Sequence, residues 1–589
     1  MKGQNQMKKI LVTLLSILFV VSGCKSNEVI TYEGTFDEYV NTLYAEIIGS
    51  TDIGINLSFN DPEAFGIVPE PYSLGFSTQE DYDESSKQLD TMIKTLRSFT
   101  DDSLTQQQII DRDAIIEYLS AYLGSEKFYE YEEGDALSSS RSYIMSLPSY
   151  LDMYVFNSER DIEYYFNFVN TLEENLLKFV ELEKTRQSKN MGLSQKELDS
   201  IVKAADSTAT AAAQEDYFLN RAFERQMASI SFIDQQAKDD YILKHQEAMK
   251  SSFSKAYASL ASSIREIEGG ELRGLANKEN GKAYYEYLFK KNTGSSYSVD
   301  QVSKQLKSRK KDLMYSVVKY FQTNYDETLE ESVQNGNVFD GLFSDEKSVL
   351  TTMIEKMGED FPMINVPNYS INFVDESLED SASPAFYFTP KVDATDDNVQ
   401  AIYVNGNFSN DKVTTYIHEG IFGHMYQFNY FKQSGENQIR SFLSSSANAE
   451  GWANYTENYA TKYVLGDDLG LFFQNYNELL SNLYVQLDIG INYEGWSQQE
   501  TLNFLVDEGW YSETTSVNQI EELYLAFVEN PCVYPMYYVS SMYIRILSEK
   551  AEKAWGADYS DYAFHEALLK QGSTSFDMLE KALDLNIMK

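Results

Sequence analysis

The stretch Thr414-Thr415-Tyr416-Ile417-His418-Glu419-Gly420-Ile421-Phe422-Gly423-His424-Met425-Tyr426-Gln427 holds two of the four histidines in this 589-residue chain. A glutamate directly follows the first of them. Neutral imidazole is the commonest metal ligand in proteins, and a carboxylate beside a metal can accept a proton from water. The pattern therefore indicates a hydrolytic zinc site with His418 and His424 as ligands and Glu419 as general base.

The interval between the two histidines is unusual for such a site. Zinc peptidases that carry both ligands on one helix space them four residues apart, which returns the second to the same face. Here the interval is six residues, so the two imidazoles would point about 120° apart on an ideal helix. Gly420 and Gly423 allow the backbone to leave helical geometry. We therefore predict a widened, π-like turn that brings His424 round to His418.

A third ligand is expected from the segment Asn448-Ala449-Glu450-Gly451-Trp452-Ala453-Asn454-Tyr455-Thr456-Glu457, which has the pattern of a helix start after Ser444–Ser446. Glu450 follows His424 by 26 residues, a distance suited to a neighbouring antiparallel helix. Glu457 lies seven residues further on the same face and could orient a histidine. If Glu450 is not the ligand, Glu457 is the next candidate.

These segments resemble the DUF885 family, a group similar to gluzincin-type zinc metallopeptidases. The resemblance extends to Asp61-Pro62-Glu63-Ala64-Phe65-Gly66 and to Phe564-His565-Glu566-Ala567-Leu568-Leu569. It implies a Zn²⁺ cofactor and a mainly α-helical, gluzincin-like peptidase fold, with a small sheet beside the metal helix and a deep central cleft. Phe422 stands where the family has proline. Met425 replaces a histidine of many members, which indicates that residue 425 is not a ligand.

Further candidates for catalysis and substrate binding lie outside the metal motif. The resemblance aligns Tyr537 with a family tyrosine, and its hydroxyl could stabilise an oxyanion; Tyr538 is the alternative. Tyr403 and Asn405 lie in a predicted strand that could pair with an extended peptide or be purely structural. His565 is either a core histidine or a substrate contact.

The chain divides by pattern into a helical part, residues 35–350, and a catalytic part, residues 351–589, which we expect to form one continuous unit. Between Phe361 and Phe408 short β-branched and aromatic runs predict a small sheet before the metal helix. His245 lies on a polar stretch and is predicted to be a surface residue. Cys532 is predicted to be a buried thiol.

The N-terminus has the pattern of an export signal. Lysines precede the apolar run Ile10–Val21, which is too short to span a bilayer as a stable helix. Val21-Ser22-Gly23-Cys24 resembles a bacterial lipobox, which implies a signal peptide over residues 1–23, a lipidated Cys24 and a tether to residue 34. The alternative is an ordinary signal peptide. The lipobox predicts a lipoprotein on the outer face of a bacterial membrane.

The amino-acid composition limits the classes of molecule that the protein is expected to bind. The formal net charge is −43, from 91 acidic and 48 basic residues, and such a chain repels phosphates, so we expect no nucleic-acid binding. The sequence favours a surface zinc metallohydrolase acting on a peptide or small amide. The alternatives are a non-catalytic binding lipoprotein or degenerate enzyme on the same fold, and an amide hydrolase with a non-peptide substrate.

Overall fold

A computed structural model of the protein describes residues 32–138, 143–324, 327–374, 383–395, 398–409, 412–435 and 437–588. The predicted signal peptide and Cys24 lie outside this range, as does most of the tether. Within the described residues, no helix is both long and apolar enough to cross a bilayer.

The first part of the chain is a succession of helices. Many begin at a hydroxyl or acidic residue that accepts a backbone N–H, as Thr35 does from Glu38 and Ser194 from Glu197. The helices are α1 Phe36–Ile48, α2 Gly54–Ser58, α3 Gln79–Ser98, α4 Gln106–Ser120, α5 Tyr129–Gly134, α6 Tyr143–Met153, α7 Glu159–Ser188, α8 Gln195–Ala212, α9 Phe218–Ser229, α10 Gln235–Ala248, α11 Ser254–Ile264, α12 Gly281–Thr293, α13 Val299–Thr323, α14 Glu327–Asn335 and α15 Glu346–Lys356.

A three-stranded sheet follows, as the sequence predicts. Its strands are β1 Tyr369–Phe373, β2 Ala385–Phe388 and β3 Gln400–Val404. Their order is β1-β3-β2, with β1 parallel and β2 antiparallel to β3. β3 is therefore the central strand, while β2 lies at an edge.

The remaining helices surround the metal motif. They are α16 Val413–Glu419, α17 His424–Ser434, α18 Gln438–Phe442, α19 Ser446–Tyr459, α20 Lys462–Leu465, α21 Asp467–Ile489, α22 Gln498–Asp507, α23 Glu521–Glu529, α24 Val533–Trp555, α25 Asp561–Leu569 and α26 Phe576–Leu583. The prediction of a mainly α-helical fold with a small sheet just before the metal helices is confirmed.

Two large hydrophobic cores hold the molecule together. One is built chiefly from α1 to α11, and the other from α12 to α26 together with the sheet. The buried ion pair between Arg440 and Asp111, 3.1 Å apart, joins α18 to α4. Ile439 of α18 and Ile115 of α4 both lie in the first core. Because a buried charge is costly unless it is paired, this contact favours one fixed position of α18 on that core.

The helices α19 and α24 make an especially close contact. A Cβ atom on Gly451 would lie 2.5 Å from the Cβ of Ser540, so these positions require small side chains. Ser540, with its small side chain, permits this approach. The contact brings the face of α19 that bears Glu450 against α24, which carries Tyr537.

A cavity of about 510 Å³ lies between the two cores. Its walls include Tyr143 and Phe179 from the first core, and Tyr131 and Tyr284 from the second. Among the described residues that line it, none belongs to the predicted metal centre. The metal centre therefore lies outside this cavity.

Candidate metal centre

The two histidines come from two separate helices. α16 ends at Glu419, residues 420–423 form a loop, and α17 begins at His424. The prediction of a π-like turn is wrong: the backbone ψ angles of Gly420 and Gly423 are −119° and −131°, far from helical values. The loop removes the 3.6-residue period, so the six-residue interval no longer sets the direction of His424.

Backbone contacts hold this loop. The Gly423 N–H donates to the Ile417 carbonyl at 3.1 Å, and the Tyr426 N–H donates to the Gly420 carbonyl at 3.1 Å. A Cβ on Gly423 would lie only 1.8 Å from the His418 carbonyl oxygen. Glycine is therefore required where the loop folds back on α16.

Aromatic residues of the core pack against the loop of residues 420–423. The indole N–H of Trp452, on α19, donates to the Phe422 carbonyl at 2.8 Å. The Phe422 ring stacks on Phe361 with centroids 4.1 Å apart. Phe422 is fully buried, so at the family's proline position this chain uses an aromatic ring packed in the core.

The predicted ligand atoms converge. The Nε2 atoms of His418 and His424 are 3.1 Å apart, and each lies 3.5 Å from Oε2 of Glu450. Ligands at about 2.0–2.1 Å from a tetrahedral zinc ion are separated by about 3.3 Å. The three atoms thus have the spacing that a tetrahedral zinc site requires, and the chemistry of two imidazoles and a carboxylate suits this ion.

Glu450 supplies an independent sign that the residues fit a cation. Its side chain is 2% exposed, and Oε2 has no hydrogen-bond partner among the described residues. A buried acceptor without a donor is costly in a folded protein. Burial opposes its ionisation, but the imidazoles of His418 and His424 outweigh burial and lower the pKa of Glu450 to about 2. The carboxylate is thus charged and available.

Glu457 orients His418. Its Oε2 lies 2.9 Å from His418 Nδ1, and its Oε1 accepts the side-chain amide of Asn454 at 2.6 Å. This contact leaves Nε2 of His418 facing Glu450. Burial alone would lower the pKa of His418, but Glu457 and then Glu450 raise it to about 10. The pair thus supplies the carboxylate–histidine contact common at metal sites.

Glu419 lies against the same imidazoles. One oxygen of its carboxylate and one ring nitrogen each of His418 and His424 all lie within 4.8 Å of one another. The backbone N–H of Tyr387, in β2, donates to Glu419 Oε2 at 2.6 Å. This hydrogen bond fixes the carboxylate beside the imidazole nitrogens while its other oxygen remains for a reacting group.

The structure places Tyr537 beside the metal centre. Its ring centroid lies 6.4 Å from that of His418, and its side chain is buried. Burial, followed by the charges of Glu450 and Glu419, raises the pKa of Tyr537 well above its usual value. The phenol is therefore protonated and able to donate a hydrogen bond. Tyr538 lies further round α24, where Glu457 contributes to its raised pKa.

The prediction that an extended peptide pairs with the strand of Tyr403 and Asn405 is wrong. Tyr403 lies in β3, which pairs with β1 on one side and β2 on the other, and Asn405 follows directly, with its N–H donated to the Pro384 carbonyl. Neither backbone edge of β3 is left for a peptide. The edge strand beside Glu419 is β2, and sequence patterning did not distinguish it from the central strand.

His565 is a core residue. It is fully buried, with Nε2 2.9 Å from the Tyr455 hydroxyl and Nδ1 2.8 Å from the Asp360 carbonyl. The ring stacks on Phe361 at 4.2 Å, in the aromatic layer under the metal loop. The core alternative is therefore the correct one.

The prediction for His245 is also wrong, and that for Cys532 is confirmed. His245 is 1% exposed, its ring nitrogens lie 2.9 Å from the Tyr165 hydroxyl and 3.0 Å from Asn220 Oδ1, and it stacks on Phe223. A polar stretch on one helix did not reveal the apolar neighbours brought by other helices. Cys532 is fully buried.

Two further residues contribute to the site beyond those predicted from the sequence. Trp452, two residues after Glu450, holds the metal loop through its indole N–H. Its position inside the Glu-Gly-Trp-Ala segment was an available signal. The Tyr387 backbone amide contacts Glu419 through main-chain atoms, so its residue type carried no signal.

Fold and site together define a mainly helical protein with a His-His-Glu centre of zinc-like spacing. The profile of the family described as "Bacterial protein of unknown function (DUF885)" matches residues 65–583. This chain therefore belongs to the DUF885 family. No curated protein matches the sequence.

Two solved structures share the fold over almost their whole length. One is the "putative lipoprotein" of Colwellia psychrerythraea, with a TM-score of 0.78 at 15% identity, covering 93% of this chain and 97% of that one. The other is a "putative lipoprotein of unknown function" of Shewanella oneidensis, with a TM-score of 0.62 at 15% identity, covering 93% and 99%. At this identity the likeness establishes the fold alone.

Proposed function

We propose that the protein is a zinc-dependent hydrolase of the cell surface that cleaves short peptides. The observation that carries the proposal is the convergence of His418 Nε2, His424 Nε2 and Glu450 Oε2, which lie 3.1 to 3.5 Å from one another. Oε2 has no hydrogen-bond partner among the described residues. These three residues would hold Zn²⁺. A zinc ion there would supply a Lewis acid that makes water a good nucleophile near neutral pH.

The chain's own residues provide the proton chemistry. Glu419 would take a proton from the attacking water and deliver it to the departing amine nitrogen. The Tyr387 N–H keeps the carboxylate in place for both transfers. Tyr537, protonated and close to His418, would donate to the oxygen that becomes negative as the carbonyl is attacked.

The edge strand β2 supports an extended peptide as substrate. Among the described residues β2 pairs with β3 alone, and Tyr387 within it already points its N–H toward Glu419. An extended peptide could add along this edge and bring its backbone past the catalytic carboxylate. The net charge of −43 favours neutral or basic peptides over acidic ones.

The cellular setting of the proposal is a lipoprotein anchored through Cys24 on the outer face of a bacterial membrane. The lipobox-like Val21-Ser22-Gly23-Cys24 supports it. The two structures with the same fold carry lipoprotein names.

One experiment tests the proposal. The purified protein is assayed for bound metal and incubated with a mixed peptide pool, and the products are sequenced. We expect one zinc per chain, and cleavage that stops on chelation and returns with zinc. Absence of zinc and of cleavage would favour the binding lipoprotein, while zinc with turnover of non-peptide amides alone would favour the other hydrolase class.

A further inference from the structure

The exposed face of α13 differs in charge from the rest of the protein. This helix carries six basic and two acidic residues, in a chain with 48 basic against 91 acidic. Two of the basic residues are used internally: Arg309 pairs with Glu478 and Glu549, and Lys310 with Glu508. The other four are lysines at the surface.

These four lysines share one helix face. At about 100° per residue, the positions fall within an arc of roughly 120°, and all four are exposed. No ion pair is formed by any of them within the described part of the chain. The acidic residues of α13 itself are Asp300, in its first turn, and Asp312, at the edge of the arc. The lysines are Lys304, Lys307, Lys311 and Lys319.

Large apolar side chains lie among the lysines. Met314, Tyr315 and Val318 are 46%, 70% and 48% exposed, and helical spacing places them on the same face. The opposite side of α13, with Val302, Leu306, Leu313 and Val317, is buried against the protein. The helix therefore has two apolar sides: the inner one is buried, and the outer one is exposed within the described part of the chain.

We propose that this face of α13, which we call the basic face, docks onto the anionic headgroups of the membrane that carries the protein. Lysines above the headgroups and apolar side chains entering the interface are the pattern of helices that lie on membranes. Anionic headgroups attract the lysines of the basic face and repel the acidic remainder of the protein surface. The inference rests on the proposed lipid anchor, because the anchor keeps the protein at the bilayer.

The acidic remainder of the protein does not prevent this contact. Charges act over about 8–10 Å at physiological ionic strength, so only the face nearest the bilayer feels the lipid charge strongly. Each lysine near an anionic surface strengthens membrane association about fivefold. Four lysines can therefore select this orientation, with the acidic faces turned toward solvent.

The test uses the full, lipidated chain in vesicles. An environment-sensitive dye is placed at Tyr315→Cys, and in a separate protein at Leu243→Cys, an equally exposed position on α10. The native Cys532 is buried and will not react in the folded protein. The vesicles are phosphatidylcholine alone, or phosphatidylcholine with phosphatidylglycerol, with brominated lipid as quencher.

In anionic vesicles we expect the emission of the dye at residue 315 to shift to the blue and to be quenched by the brominated lipid. The dye at residue 243 should show neither change. Raising the salt to about 1 M, where the Debye length is about 3 Å, should reverse the change. Changing the four lysines to glutamate should reduce the docked fraction about tenfold or more. A matched control changes four exposed lysines elsewhere to glutamate, at Lys94, Lys127, Lys203 and Lys244, and should keep the docked fraction.

Each contrary outcome has a distinct meaning. Protein that floats with the vesicles while residue 315 behaves like residue 243 overturns the docking proposal and leaves the anchor intact. Failure to float with either vesicle contradicts the anchor itself. A dye at residue 315 that is shielded only when other envelope proteins are added assigns the basic face to a protein partner and also overturns the proposal.

Discussion

The Nε2 atoms of His418 and His424 lie 3.1 Å apart although six residues and a helix break separate the two histidines. Neither imidazole reaches this position through helical periodicity. The loop of residues 420–423, closed by backbone hydrogen bonds and held by Trp452, sets the distance. The candidate metal centre therefore depends on this loop as much as on the proposed ligands.

Glu450→Ala should lower the zinc content of the purified protein markedly, because it removes the carboxylate oxygen that lies 3.5 Å from both imidazoles. Elemental analysis after dialysis measures the effect. Glu355→Ala, an exposed change on α15, is the control and should keep the metal. Zinc at one per chain in the Glu450 variant would contradict this assignment and direct attention to Glu457 and Glu419.

Glu419→Gln should retain zinc and lose about 10²–10⁴-fold in kcat, because a neutral amide cannot accept the proton of the attacking water. The variant keeps the shape of the side chain, and the Tyr387 N–H can still donate to its carbonyl oxygen. Cleavage of a peptide found in the pool is measured beside metal content. Undiminished turnover would remove Glu419 from the mechanism.

Glu457→Ala should weaken zinc binding about 10–100-fold without removing a ligand, because His418 loses the partner of its Nδ1 atom. Glu457→Gln, which retains an acceptor, should lose less. Competition with a fluorescent chelator measures both affinities. If the two variants bind zinc as tightly as the native chain, Glu457 does not orient His418.

Gly423→Ala should disrupt the metal loop, because the new Cβ would lie 1.8 Å from the His418 carbonyl oxygen. We expect a loss of about 1–3 kcal/mol in the free energy of unfolding and weaker zinc binding. Gly270→Ala is the matched control, since nothing lies within 4 Å of its Cβ position. Equal stability and zinc affinity in both variants would show that the loop adapts.

His245 should make the protein less stable in mild acid. Burial lowers its pKa to about 3, whereas the unfolded chain has a value near 6.5, so the unfolded state binds the proton first. Stability is therefore full above about pH 6.5 and falls as the pH drops toward 3, by about 1.4 kcal/mol per pH unit from this group.

Unfolding in urea at pH 6 and pH 5 tests this expectation. His245→Gln, which removes the titrating group, should show a smaller decrease between the two pH values than the native chain, even if it is less stable at both. Parallel decreases in the two proteins would mean that His245 is already protonated in the fold or contributes nothing to acid sensitivity.

Local patterns were sufficient for much of the fold. The sequence pattern predicted a helical part over residues 35–350, and short β-branched and aromatic runs between Phe361 and Phe408 predicted a small sheet. They failed at His245 and at β3, where burial and strand order depend on neighbours distant in the chain. Hydrophobic periodicity reports one face of one element, and strand order is a property of the whole sheet.

The sequence by itself determined which residues form the candidate centre: the pair of histidines with its glutamate, and Glu450 and Glu457 on one helix face. Only the tertiary structure decided how they meet, through a loop between two helices and not a π-like turn, and which strand borders Glu419. The physical reason is that ligand identity is a matter of side-chain chemistry, whereas distances near 3 Å depend on backbone hydrogen bonds and packing between segments remote in the chain.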